Sequence, residues 1–573
     1  MSRIEVVEAS IAELRRALET GQATAVDLLE AYLARIEQYD SPDSETALNA
    51  IVVLNPDSHA DAAASDARRA RGEVLGPLDG IPYTAKDSYR AAGLTVAAGS
   101  PAFEHLVAQD DAFTIERLRA GGAVLIGLTN MPPMADGGMQ RGVYGRAESP
   151  YNADWLTSAY VSGSSNGSGT ATAASFGAFG LGEETWSSGR APASNNALCA
   201  YTPSRGIISM RGNWPLIPTM DVVVPHTRSM ADMLELLDVV VVDDSEARGD
   251  FWRVQPWIDI PKASAHRPHS YRDLAPQTFE AATQHLSGKR LGVPKMYINA
   301  DELAGTAAQV SIGGPTGQRI ETRASIIERW EAMRRDLEAA GAEVREVDFP
   351  LVTNYEGDRP GAPTIMSRGL VSPEFLHNEL VDLAAWAMED FLQANGDPAL
   401  RTMADVDGAH IFPHPESALP DQYDDFDGAL EEFPRMIRDR PYGSFTEIAH
   451  LESGVHGLEE TRRIDLEQWM DELGLDAVVF PAVADVAPAD MDVNEASAVV
   501  GWRNGVWVAN GNLAIRHFGV PTVTVPMGTM SDIGMPVGLT ISGRGYDDVA
   551  LLRLAAAVET TGDRRTVPPR TSV

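Results

Sequence analysis

Residues 162–192 read SGSSNGSGTATAASFGAFGLGEETWSSGRAP. Glycine and serine open the stretch, small apolar residues fill its middle, and a second Ser/Gly turn closes it. The pattern predicts a loop, a tightly packed helix and another loop. Small side chains let neighbouring backbone come close, so such a segment belongs inside a fold. Two serine-bearing turns joined by a buried helix can bring two hydroxyls side by side. A phosphate-cradling loop would need G-x-x-x-x-G-K-[ST], and no lysine follows these glycines. A flexible Gly/Ser linker would not carry the apolar run 171–181.

A hydrolase site remains, with more than one candidate nucleophile. Gly163-Ser164-Ser165-Asn166-Gly167 fits G-x-S-x-G, the nucleophile elbow of α/β-hydrolases, with Ser165 attacking. The second turn, Ser188-Gly189-Arg190-Ala191-Pro192 after Gly182-Glu183-Glu184-Thr185-Trp186-Ser187, points elsewhere. It resembles the amidase signature family, which has G-G-S-S-G-G-S and then G-T-D-x-G-G-S-x-R-x-P. The S-x-R-x-P ending sets the register. By that resemblance Ser188 is the nucleophile and Ser164 the bridging serine, joined to Gly163 by a cis peptide bond. Upstream, Gly80-Ile81-Pro82-Tyr83-Thr84-Ala85-Lys86-Asp87 resembles the family's G-[IV]-P-x-x-x-K-D, which makes Lys86 the catalytic lysine.

Composition supports Lys86 independently. Lys and Arg together number 46, yet the only lysines are Lys86, Lys262, Lys289 and Lys295. A chain that uses arginine nearly everywhere should keep lysine where arginine fails. Arginine stays protonated and cannot serve as a base.

The resemblance implies hydrolysis of a carboxylic amide, or of a related ester or carbamate, through an acyl-serine. It points to carbon–nitrogen bonds other than peptide bonds. Lys86 must be neutral to accept a proton, which burial promotes. The backbone N–H groups of Thr185, Trp186, Ser187 and Ser188 would form the oxyanion hole. Ser165 would support the relay and Arg190 would brace the turn. Trp186 and Ser187 stand where the family has two glycines, and Glu184 where it has Asp. Backbone donors survive any side chain, but tryptophan cannot adopt φ > 0 cheaply as glycine can. Either the turn uses ordinary dihedrals or its geometry differs; Trp186 would also shape the pocket. Competing readings are an esterase built on Ser165, a binding protein with an impaired site, and a transamidase component fed with ammonia by a partner.

The fold class expected is α/β: one large domain with a central mixed sheet flanked by helices and a helical insertion. The chain of 573 residues can bury a large core. The parts are N-terminal helices over 5–72, a signature core over 75–245, a variable cap over 354–451 and a return to the core over 475–560. Apolar spacing over 11–38 predicts two helices, with Thr24 capping the second. Strands are expected at 48–54, 123–128, 289–293, 344–349 and 475–481, and the valines 239–242 make a strand-sized run. Helices are expected at 58–71, 112–120, 227–237, 323–340 and 547–559. Loops 129–140, 354–451 and 495–512 would wall the pocket. His226 reads as structural. Asp405, Asp407, His410 and His414 match no ligand spacing, so a polar surface is expected there, with no metal and no cofactor. The net charge of −36 argues against nucleic acid or anionic membrane as partner. The absence of an apolar leader or a long apolar run predicts a cytoplasmic protein. The resemblance implies a small-molecule amide as its partner, with a homodimer possible. Cys199, the only cysteine, reads as a small core residue.

Overall fold

The computed structural model describes residues 5–308, 319–421, 424–505 and 509–572. Among the described residues, eleven strands form one mixed sheet. They are β1 (Ile51–Leu54), β2 (Pro82–Lys86), β3 (Val124–Thr129), β4 (Gly180–Glu184), β5 (Cys199–Thr202), β6 (Val222–Thr227), β7 (Arg290–Pro294), β8 (Glu343–Val347), β9 (Ala477–Pro481), β10 (Thr522–Thr529) and β11 (Pro536–Ser542). Their spatial order is β1-β3-β2-β4-β6-β5-β10-β11-β9-β7-β8. β2 runs parallel to β3 and β4, and β7 parallel to β8 and β9; the remaining neighbours are antiparallel. Every residue of β2, β3 and β4 is buried, as expected of parallel strands covered on both faces.

Local chemistry explains where the helices begin. Ser10 caps α1 (Ile11–Thr20) and Thr24 caps α2 (Ala25–Tyr39); each closes a capping box, with Glu13 and Asp27 respectively. α3 (Ser58–Ala70) and α4 (Phe113–Ala120) follow near the expected bounds. Next come α5 (Asn166–Ala173), α6 (Arg190–Asn195) and α7 (Met230–Val240), the last capped by Ser229.

Two apolar runs resolve differently from expectation. The run 171–181 is not one helix. α5 ends at Ala173, Ser175 turns the chain with φ of 54°, and Gly180 begins β4 beside β2. The valines 239–242 make no strand; Val240 ends α7. Short apolar runs carry no period that separates the two states.

The loop over 129–138 lies hard against the 158–167 segment. A Cβ on Gly138 would sit 2.0 Å from the carbonyl oxygen of Ala159, and one on Gly167 would sit 2.3 Å from the backbone nitrogen of Asn130. These two glycines are what allow the approach. Segment 354–451 contributes helices at Pro373–Asn378, Ala384–Asn395 and Asp424–Asp439, with Leu451–Arg462 following. Its His410 pairs with Asp407 at 3.2 Å on the surface. No group of His, Cys, Asp and Glu able to hold a metal occurs among the described residues. None of the described helices is long and apolar enough to cross a membrane.

Among the described residues, the buried apolar side chains form two clusters. One surrounds the sheet and the N-terminal helices and includes Leu181 and Ala191. The other lies under the 354–451 segment and includes Trp186. The turn between β4 and α6 spans the two.

Candidate active site

Parallel strands deliver the polar groups. Lys86 ends β2 and Glu184 ends β4, so both lie at the carboxyl ends of neighbouring parallel strands. That edge is where open α/β sheets bind ligands. Tyr83 of β2 stacks on Phe179 just before β4, with ring centroids 5.2 Å apart, and locks the two strands together.

Lys86, Ser164 and Ser188 meet there. Lys86 Nζ donates to Ser164 Oγ at 2.8 Å, and the backbone N–H of Ser164 donates to Ser188 Oγ at 3.0 Å. All three side chains are buried, and Lys86 is 0% exposed. None of the other lysines is buried. Burial pushes the Lys86 amine below its ordinary value, opposed by the nearby carboxylates of Glu183 and Asp221.

One expectation needs correcting. The Gly163–Ser164 bond is trans, and no cis peptide bond occurs among the described residues. Outside proline the trans form is favoured by roughly 2.5–4 kcal/mol. Ser164 meets Ser188 through its amide, while its hydroxyl faces Lys86.

The turn before Ser188 is tied down on every side. The Glu184 carboxylate accepts the backbone N–H groups of Gly189 (3.0 Å) and Arg190 (2.9 Å), and Arg190 Nε at 2.9 Å. The Arg190 guanidinium also donates to the carbonyls of Trp186 (2.6 Å), Asn510 (2.5 Å) and Asn512 (3.1 Å). Thr185 Oγ1 donates to Asp221 at 2.6 Å, and Ser187 Oγ donates to the carbonyl of Ser162 at 2.8 Å. Neither Trp186 nor Ser187 has a positive φ. The turn therefore uses ordinary dihedrals, which is how it accommodates side chains in place of the motif's glycines. The backbone N–H groups of Thr185, Ser187 and Ser188 donate to no protein acceptor among the described residues.

Ser165 sits apart from this chain of contacts. Its Oγ donates to the carbonyl of Glu183 at 2.8 Å and accepts the N–H of Glu183 at 3.0 Å. It braces β4. His226 is buried, with Nε2 donating to the carbonyl of Gly189 and Nδ1 accepting from Ser168 Oγ, both at 3.0 Å. Burial pulls it down to about 4, so it is neutral and structural at neutral pH.

A cavity of about 230 Å³ opens beside Trp186. Asp136 of the 129–140 loop, Leu216 and Ile217, and Leu380, Ala384 and Phe433 of the 354–451 segment complete most of its wall. Residues 495–505 and 509–512 do not line it; 506–508 lie outside the described residues.

Lys86, Ser164 and Ser188 all lie within the stretch that a known family matches. Residues 27–272 match the family described as Amidase. The chain carries an amidase-signature domain. Among relatives, a glutamyl-tRNA(Gln) amidotransferase subunit from Cereibacter sphaeroides is 27% identical over 565 residues, covering 96% of each chain. The native peptide amidase from Stenotrophomonas maltophilia is similar in structure, with TM-score 0.73, 26% identity and 98% of both chains covered. An amidase family protein from Bacillus anthracis superposes with TM-score 0.71 at 21% identity, covering 98% of this chain and 92% of that one, a likeness of fold. The chain thus has the α/β fold with a large mixed sheet that these amidase structures share.

Sequence reasoning passed over Glu183, Asp221, Ser88 and Asn213. Glu183 Oε2 lies 3.6 Å from Lys86 Nζ. A signal was present: Glu183 and Glu184 are the only charged residues between 162 and 189. Successive strand residues face opposite sides. Glu183 therefore faces Lys86 while Glu184 faces Arg190.

Proposed function

We propose that this protein hydrolyses a carboxylic amide of a small molecule through an acyl-Ser188 intermediate, with Ser164 and Lys86 moving the proton. The observation that carries the reading is the buried amine of Lys86 on Ser164 Oγ, with Ser188 Oγ one hydrogen bond further on. Ser188 Oγ attacks the acyl carbon, its proton passes to Ser164 Oγ, and the Ser164 proton passes to Lys86 Nζ. The hydroxyl-to-hydroxyl bond this requires is formed by rotating a serine about its single χ1 bond. The reverse transfer protonates the leaving nitrogen, and water then releases the acid by the same path. N–H groups of Thr185, Trp186, Ser187 and Ser188 would receive the oxyanion, held in place by Glu184 and Arg190. The bond cut would be a carbon–nitrogen bond other than a peptide bond, with esters and carbamates as chemically related substrates. The protein would work without cofactor or metal. Relatives named as an amidotransferase component and as a peptide amidase support amide chemistry. The lodging of Ser165 Oγ on the Glu183 backbone speaks against the esterase built on that residue.

A screen of amides, anilides, carbamates and esters, with Ser188→Ala as blank, tests the reading. Activity equal in the blank would refute it. The rate is expected to climb with pH. A group whose amine is pulled down by burial loses its proton at lower pH than free lysine, and only the neutral form is a base. A profile of kcat/KM against pH for the best substrate checks this; a rate that falls as pH rises through neutrality would contradict it.

Trp186 should set acyl size. Trp186→Ala enlarges the cavity and is expected to shift kcat/KM about tenfold toward bulkier acyl groups. Paired measurements on acetyl and phenylacetyl amides of one amine read the ratio.

A further inference from the structure

We propose that Glu183 is the counter-charge of the base. Its carboxylate, held beside Lys86 by Ser88 and Asn213, sets the pH at which Lys86 becomes a base and steadies the ammonium formed when the proton of Ser188 arrives. The proposal rests on the reading of Lys86 and Ser188 given above.

The geometry is specific. Glu183 Oε2 lies 3.6 Å from Lys86 Nζ and accepts from Ser88 Oγ at 2.5 Å. Glu183 Oε1 accepts from Asn213 Nδ2. Both carboxylate oxygens thus have a neutral donor, which fixes the carboxylate beside the amine. Glu183 is 5% exposed and Lys86 fully buried, so water screens the pair poorly. The position is a strand residue with no freedom to swing away: its N–H and carbonyl are both held by Ser165 Oγ. In the motif quoted above, this residue falls where the family has threonine. The carboxylate is therefore a property of this chain.

A carboxylate so placed has two opposite effects. It makes Lys86 harder to deprotonate, which narrows the pH range in which the base is ready. It also makes Lys86 a stronger base, because the charge that appears during attack forms next to its opposite. This is the part played by the aspartate of a Ser-His-Asp triad, which stabilises the cation without taking the proton.

Other ionisable groups lie around the pair or adjoin it along the chain. Asp221, in the loop before β6, is bonded to Thr185 Oγ1 and the N–H of Leu216, and burial raises it to about 7. Asp87, next along the chain from β2, accepts the N–H of Gly99 and is raised by burial to about 8. His226 on β6 is pulled down by burial to about 4. Tyr89, whose hydroxyl donates to the carbonyl of Gly182 at 2.6 Å, is pushed up by burial and by Glu183. All four remain when Glu183 alone is changed, so the difference between variants isolates Glu183.

The test follows labelling by a fluorophosphonate, which needs no knowledge of the natural substrate. Ser188 Oγ bonds to phosphorus, fluoride leaves with the bonding pair, and the serine proton passes through Ser164 to Lys86. The second-order labelling rate is measured from about pH 5 to about pH 10 for wild type, Glu183→Gln and Glu183→Asp. Glu183→Gln should move the acid limb down by about one to three pH units. It should also lower the high-pH plateau about tenfold or more. Glu183→Asp, whose carboxylate is drawn back by one methylene, should move the limb less and in the same direction. It keeps the question open to test if the glutamine variant does not fold. An acid limb unmoved in the folded variants, with Ser188→Ala unlabelled, overturns the role of Glu183 alone. Labelling that persists in Ser188→Ala overturns the site reading beneath it.

Discussion

Ser188→Ala is expected to lower kcat by a factor of about 10⁵ to 10⁶, the loss seen when a serine hydrolase gives up its nucleophile. Lys86→Ala should fall nearly as far, because the three residues act as one unit and their losses do not add. Ser165→Ala should keep most of its activity. Its hydroxyl holds the backbone of Glu183 and touches none of the three groups above. Its deletion should show mainly as a loss of roughly 1–2 kcal/mol in stability, the cost of buried hydrogen bonds left unmade. The order of the three variants in one turnover assay separates this account from an esterase that uses Ser165. An inactive Ser165→Ala beside an active Lys86→Ala would reverse the assignment.

Glu184→Ala should be the most damaging change outside the reacting groups. Glu184 and Arg190 are both fully buried, and the carboxylate accepts three N–H donors. Removing it leaves the guanidinium charge uncompensated and two backbone amides unpaired in a dry interior. Breaking a buried pair by deleting one partner costs about 3–5 kcal/mol. The exposed pair Arg334–Glu338 gives the contrast: at 3.0 Å on the surface of a helix it should cost about 0.3–0.5 kcal/mol to delete. Thermal or urea unfolding of the two variants reads the difference. Equal losses would mean that the turn is not held by this pair. Because the same contacts position the N–H donors of residues 185–188, residual activity in folded Glu184→Ala should also fall steeply.

Much of this was legible in the residues themselves. Thr24 announces its helix because a threonine followed three residues on by an acid satisfies two orphan N–H groups at once. Lys86 stands out because lysine is kept at so few positions in an arginine-using chain, and it is the one that the fold buries. The S-x-R-x-P ending sets Ser188 in register, and the structure places that serine one hydrogen bond from Ser164.

What stayed hidden depended on contacts distant in sequence. The run 171–181 is apolar in either state; only the neighbouring β2 makes its end a strand. The valines 239–242 have high strand propensity, yet α7 carries Val240, since tertiary packing overrides propensity. Glu183 looked like one acid of two, and its meaning appears only when the strand turns it toward Lys86. The replacement of two glycines by Trp186 and Ser187 left two readings open, ordinary dihedrals or a different geometry. The turn reaches its shape with negative φ at both positions, so no glycine is needed there.

The central claim is that the hydroxyl of Ser188, and no other, becomes the acyl carrier. Intact-mass analysis of the fluorophosphonate-treated protein, followed by peptide mapping, tests it directly. The account predicts one adduct per chain, on Ser188, formed faster as pH rises and lost in Lys86→Ala. An adduct on Ser165, or none in a folded protein, would contradict it.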